Sequence, residues 1–186
     1  MASLQTPVCE FGKKAHDFSL RGVDQQNWTL EKCSGERGLL VMFISNHCPY
    51  VKAIRNKLVR DTNELIALGI NTVAIMSNDT VAYPDDSFDN MLQISNEFNF
   101  QFPYLLDDSQ EIARAYDAVC TPDFFGYNAA MELQYRGRLD AAGPKSDDDT
   151  RERELFNAMR LVAETGKGPE HQIPSMGCSI KWKSVD

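Results

Sequence analysis

Eight consecutive residues without a charge, "GLLVMFIS" at 38–45, constrain this chain more than any other stretch. A strand with one face in water alternates apolar with polar residues; a continuous run of strand length is what burial on both faces requires. Both faces of its sheet must therefore be covered. The next segment supplies one cover. From Pro49 to Leu68 the residues Val51, Ile54, Leu58, Leu65 and Leu68 recur at spacings of three, four or seven, which is a single stripe along a helix. "GINTVAIMSN" at 69–78 then repeats the buried-strand pattern. Strand, helix and strand in that order predict a right-handed βαβ unit.

The rest of the chain is read around that unit. "HDFSLRGVDQQNWTLEK" carries two short apolar segments about a polar turn, the pattern of a hairpin near the N-terminus. "DDSFDNMLQISNEF" reads as a helix and "FPYLLD" as a short strand behind Pro103. "DSQEIARAYDA" reads as a helix opened by Asp108, three residues before Glu111. "DFFGYN" and "LQYRGRLD", separated by "AAME", form a second hairpin. "AAGPKSDDDT" is loop, "RERELFNAMRLVAET" is a last amphipathic helix closed by Gly166, and residues 167–186 are a Pro- and Gly-rich irregular tail. The expectation is one α/β domain over residues 1–186, with a mixed central sheet and helices on both faces.

A chain of 186 residues with 42% hydrophobic content can bury such a core without disulfide staples. Its five cysteines, Cys9, Cys33, Cys48, Cys120 and Cys178, are odd in number and widely spaced, which is not a secreted disulfide framework. The N-terminus has no signal-peptide pattern and no apolar run is long enough to span a bilayer, so a cytoplasmic location and no membrane partner are expected. A formal charge of −8 with no basic stripe argues against nucleic acid.

The loop after the first buried strand, "NHCPYVKAI", then carries the chemistry. In a βαβ unit this loop opens at the carboxyl edge of the sheet and leads into a helix N-terminus, whose free amides and dipole favour negative charge. Cys48 stands there, and a cysteine so placed is favoured as the thiolate. Pro49 suits the first helical position, where its missing N–H costs nothing. His47 beside it and Lys52 one turn on are expected to lend positive charge. With no acidic partner nearby in sequence, His47 reads as a loop residue rather than a general base. A metal site of His47, Cys48 and Cys120 lacks close ligand spacing, and neither a metal nor another cofactor is expected.

"CPYV" resembles the Cys-Pro-Tyr-Cys of glutaredoxins and the Cys-Gly-Pro-Cys of thioredoxins with the second thiol replaced. More closely, "NHCPYVKAI", "FPYLLDDSQEIARAYDAVCTPDFF", "YRGRLD" and "GCSIKWK" resemble a peroxiredoxin-like group of the thioredoxin superfamily, related to the alkyl hydroperoxide reductase and thiol-specific antioxidant proteins. That resemblance implies a thioredoxin-like fold with an N-terminal β-hairpin extension and an antioxidant or thiol oxidoreductase role. It also implies that Thr121–Pro122 is the cis-proline loop facing Cys48. His47, Pro49, Tyr50, Thr121 and Pro122 are then the residues expected around a substrate.

Two departures matter. Group members commonly have Cys-Asn-His-Cys where this chain has Ser45 in the first position, and Val51 replaces the second cysteine of Cys-Pro-Tyr-Cys. Neither position can pair with Cys48. The peroxiredoxin pattern Pro-x-x-x-Thr-x-x-Cys is also incomplete, with Val41 at the proline position and Ser45 at the hydroxyl position. The arginine that peroxiredoxins place by their thiolate is missing from "VCTPDFFGYN", leaving Arg136 or Arg138 to approach in space. The leading expectation is a thiol–disulfide oxidoreductase using Cys48, with glutathione or thioredoxin as reductant. A weak peroxidase and a non-catalytic thioredoxin-like binding protein are the alternatives. Cys120, two residues before Pro122, is the internal candidate to resolve a mixed disulfide, against a plain packing role.

Overall fold

The computed structural model describes residues 3–141 and 151–184. In chain order it runs β1 (Ser3–Gln5), β2 (Ser19–Gly22), β3 (Asn27–Thr29), a short α1 (Leu30–Cys33), β4 (Gly38–Phe43), α2 (Pro49–Ala67) and β5 (Ile70–Met76). A 3₁₀ turn (Pro84–Asp86) leads into α3 (Phe88–Glu97), β6 (Tyr104–Leu106), α4 (Glu111–Ala115), β7 (Cys120–Thr121), β8 (Asp123–Asn128), β9 (Leu133–Tyr135), α5 (Glu154–Thr165) and β10 (Met176–Ser179).

The main sheet has seven strands in the order β3-β2-β6-β5-β4-β8-β9. β4 pairs parallel with β5 and antiparallel with β8, so the sheet is mixed and the uncharged run lies near its middle. Every residue of β4 is buried. Alternation along the strand sends Leu40, Met42 and Ile44 into one core and Leu39, Val41 and Phe43 into the other. The first core is closed by Val51, Ile54, Leu58 and Leu65 of α2 with Leu155, Met159 and Val162 of α5. The second is closed by Leu30 and Cys33 of α1, Ala113 of α4 and the neighbouring Tyr116. Leu58 and Leu65 are fully buried, and each contributes about 1.5–3 kcal/mol through the apolar area it removes from water. The N-terminal hairpin is β2 with β3, joined to the sheet through antiparallel pairing of β2 with β6.

Two readings of the sequence change. The stretch taken as an irregular tail contains β10, the middle strand of a second, three-stranded sheet ordered β1-β10-β7. Its turn residues hid a strand that is paired on both edges. Asp108 does not cap α4: it is exposed and accepts from Lys183 Nζ at 2.9 Å. Asp107 takes that part, its buried carboxylate accepting from Ala113 N at 2.9 Å and Ile112 N at 3.4 Å. Of the loop read at 141–150, residues 142–150 lie outside the described residues. Among the described residues no helix is long and apolar enough to cross a membrane.

Candidate functional site

The parallel strand β4 ends where the chain turns through Ser45, Asn46 and His47 into α2. That turn is fixed by Asn46, every polar atom of which is used. Its backbone N–H donates to Asp86 Oδ1 at 2.7 Å and its Nδ2 to the Asp85 carbonyl at 3.0 Å. Its Oδ1 accepts from the Tyr104 hydroxyl at 3.0 Å, and its carbonyl accepts from Arg55 Nη2 at 3.2 Å. Four groups from three other elements therefore set the angle at which the chain enters the helix.

Cys48 is the N-cap of α2 and Pro49 is its first residue. The Cys48 side chain makes no cap bond and is fully buried. Its Sγ lies 3.0 Å from the Thr121 carbonyl oxygen, to which the thiol donates, and 3.1 Å from Cys178 Sγ. The peptide joining Thr121 to Pro122 is cis. Thr121 Oγ1 is 3.4 Å from Ser45 Oγ, which ties the end of β4 to the same loop. Tyr50 is half-buried; its hydroxyl is 3.2 Å from Ser3 Oγ of β1. Tyr50, Ile54, Pro122, Arg138, Ile173 and Met176 border a mainly apolar cleft of about 190 Å³, which Cys48 itself does not line.

Cys178 arrives from the far end of the sequence because β10 pairs antiparallel with β7, placing Cys178 opposite Thr121 and Ser179 opposite Cys120. Residues paired in this way point to the same side of a sheet, and successive residues point to opposite sides. Cys178 and Thr121 therefore share the face that looks toward Cys48, and Cys120 takes the other. Cys120 Sγ bonds the Pro122 carbonyl oxygen, 3.6 Å away, rather than Cys48. The internal thiol beside Cys48 is thus Cys178, not Cys120. Gly177 permits the approach, since a Cβ there would stand 2.0 Å from the Thr121 carbonyl oxygen.

His47 turns away from the sulfur. Its Nδ1 meets Asp86 Oδ2 at 2.7 Å, and its ring stacks on Tyr83 with centroids 5.4 Å apart. The acidic partner that the local sequence lacks comes from the 3₁₀ turn. Asp86 is fully buried and also accepts from Asn78 Nδ2 at 2.7 Å and His47 N at 3.3 Å. Burial works against its ionisation, yet the bonds from His47 and Asn78 more than offset this and hold the carboxyl below its ordinary range. Lys52 is exposed and borders a surface cleft with His47 rather than the sulfur. Neither arginine considered from the sequence reaches the thiol. Arg136 is buried in an ion pair with Asp123 at 3.1 Å, and Arg138 holds Glu154 at 2.7 Å in a forked pair.

Burial pushes the Cys9 thiol up to about 11 and the Cys33 thiol up to about 12, and it raises Cys120 as well. Cys178 is pushed up to about 12, first by burial and then by its bond with Cys48. All four are held as thiols at neutral pH. Among the described residues there is no group of three or more His, Cys, Asp or Glu side chains placed to hold a metal ion.

Residues 11–142 match the AhpC/TSA family. No curated protein matches the sequence. Among solved structures, an uncharacterized conserved protein from Geobacillus kaustophilus is similar over 100% of this chain and 99% of its own, with 40% identity and a TM-score of 0.94. A hypothetical protein from Sinorhizobium meliloti 1021 is similar over 97% of this chain and 99% of its own, with 36% identity and a TM-score of 0.92. The thioredoxin domain of a thiol-disulfide oxidoreductase from Bacteroides vulgatus is similar over 85% of this chain and 99% of its own, with a TM-score of 0.64 at 13% identity. That last likeness is one of fold, and the fold is thioredoxin-like.

Proposed function

The chain belongs to the AhpC/TSA family, and from that premise we propose that it is a thiol–disulfide oxidoreductase in which Cys48 is the attacking sulfur. The observation that carries this reading is the position of Cys48 at the N-terminus of α2, its sulfur 3.0 Å from the Thr121 carbonyl oxygen, with its neighbour Tyr50 and Pro122 bordering an apolar cleft. Cys48 loses its thiol proton as its sulfur attacks one sulfur of a substrate disulfide. A Cys48 mixed disulfide forms, and the second substrate sulfur leaves and takes up a proton as a thiol. The helix dipole favours the negative charge that develops on Cys48 during this step. Tyr50 and Pro122 flank the approach, and glutathione or a thioredoxin-type dithiol returns the protein to its reduced state. Such reductants fit a cytoplasmic setting.

A peroxidase role has weaker support. Arg136 and Arg138 are engaged by Asp123 and Glu154, so neither of these two guanidinium groups is free to organise peroxide at the sulfur. Reduction of a small disulfide by the native protein and by Cys48→Ser tests the proposal. The variant is expected to lose the activity entirely, and iodoacetamide near neutral pH is expected to label Cys48 before the other four cysteines in the native fold. Undiminished exchange by Cys48→Ser, or first labelling of Cys9, would refute it. If the protein instead consumes micromolar hydrogen peroxide rapidly and leaves disulfides untouched, the peroxidase reading replaces this one.

A further inference from the structure

We infer that Cys178 is the thiol that resolves the Cys48 mixed disulfide, closing an internal Cys48–Cys178 disulfide between the N-terminus of α2 and the middle of β10. This assignment rests on the reading of Cys48 as the attacking sulfur and adds the second half of its cycle.

The two sulfurs are 3.1 Å apart and both are buried. A disulfide sets them about 2.05 Å apart, so closure needs a movement of about an ångström. Cys178 cannot easily slide away from this position. Its strand is paired on both edges, Cys178 opposite Ser3 of β1 and opposite Thr121 of β7. The close approach at Gly177 fixes the strand's height above the Thr121 carbonyl. The neighbouring thiol, Cys120, is directed by strand alternation to the opposite side of the small sheet, and its sulfur bonds the Pro122 carbonyl oxygen. Cys178 also has a reason to wait its turn. Held as a thiol by burial and by its contact with Cys48, it does not compete for the incoming disulfide.

The step balances without a further oxidant. In the Cys48 mixed disulfide, Cys178 loses its proton and attacks Cys48 Sγ, the bond from Cys48 to the substrate sulfur breaks, and the substrate leaves as a thiolate that takes up the proton. Over both steps one substrate disulfide becomes two thiols, and two protein thiols become one disulfide. An external dithiol then reverses the protein's oxidation.

The test uses the whole reduced protein, oxidised glutathione as the probe, rapid acid quenching, alkylation and peptide mapping. The native protein is expected to release two glutathione thiols per chain and to yield a Cys48–Cys178 linked peptide. Cys178→Ser is expected to stop after one, holding glutathione on Cys48, and Cys120→Ser is expected to behave as the native protein does. Accumulation of glutathionylated Cys48 in the native protein, with Cys178 still open to alkylation after unfolding, overturns the assignment while leaving Cys48 as the attacking sulfur. Absence of any Cys48 adduct in folded Cys178→Ser overturns the underlying reading. The mapping of the native protein decides the first point even if the variant does not fold.

Discussion

His47 and Cys48 are adjacent in the chain and opposite in their surroundings. His47 is held by charge: its ring meets a buried carboxylate, stacks on Tyr83 and borders a surface cleft. Cys48 is held by packing and backbone, against the Thr121 carbonyl and a second sulfur, in the core beneath α2. A single turn thus separates a polar anchor from a buried thiol, so each can be altered without rewriting the other. The cap position makes this possible, because a side chain there stands outside the helical register that governs Val51 and Ile54.

The strongest way to break that division is at the anchor. Asp86→Ala leaves Asn46 N, His47 N, His47 Nδ1 and Asn78 Nδ2 without their acceptor. Losing a buried charged partner of this kind is expected to cost about 3–5 kcal/mol in denaturant unfolding, with Asp86→Asn recovering part of it. The folded-state pKa of Asp86 lies below its unfolded value. Its contribution is therefore fully present above the ordinary carboxylate value of about 3.9 and is lost as pH falls through the depressed folded value. Acid unfolding of the alanine variant should accordingly be less steep. A loss under about 1 kcal/mol, within the range of exposed pairs, would mean that the anchor is not electrostatic.

The sulfur side is broken by bulk instead. In Gly177→Ala the new methyl group would meet the Thr121 carbonyl, so β10 must back away from β7. Overpacking of this kind costs about 1–3 kcal/mol, and it should lower the yield of the Cys48–Cys178 disulfide more than it lowers alkylation of Cys48. Equal losses in both would show that the two sulfurs depend on the strand alike. The smallest expected effect sharpens the comparison: Lys52→Gln, at an exposed residue on the His47 side, should change the alkylation rate of Cys48 by less than about twofold, as expected for a surface charge screened by solvent. A tenfold fall would place Lys52 in the sulfur's field after all.

Much of the frame was legible because it depends on local pattern. The uncharged run at 38–45, the stripe from Val51 to Leu65 and the second run at 70–76 led directly to β4, α2 and β5. The place of Cys48 at the start of α2 was legible for the same reason, since it follows a buried strand and precedes Pro49. What stayed hidden depends on partners far along the chain. Asp86 is 39 residues from His47, and no spacing rule links a 3₁₀ turn to a helix cap. Cys178 is 130 residues from Cys48 and lies among Pro, Gly and Ser, which read as loop. A strand of four residues in such a segment is made by its neighbours, not by its own propensity. Cys120 misled because nearness to Pro122 in sequence says nothing of which way a strand residue points.

The placement of β10 between β1 and β7 has a consequence for how the protein is made. Synthesis proceeds from the N-terminus at about 5–20 residues per second, and early segments begin to fold before late ones exist. β4, α2, β5 and β7 are all available before β10 leaves the ribosome. During that interval Cys48 has its helix and the Thr121 carbonyl but not Cys178, and β1 has no strand to pair with. The Cys48 sulfur is therefore open to stray thiol chemistry in the nascent chain, and addition of β10 brings Cys178 against it.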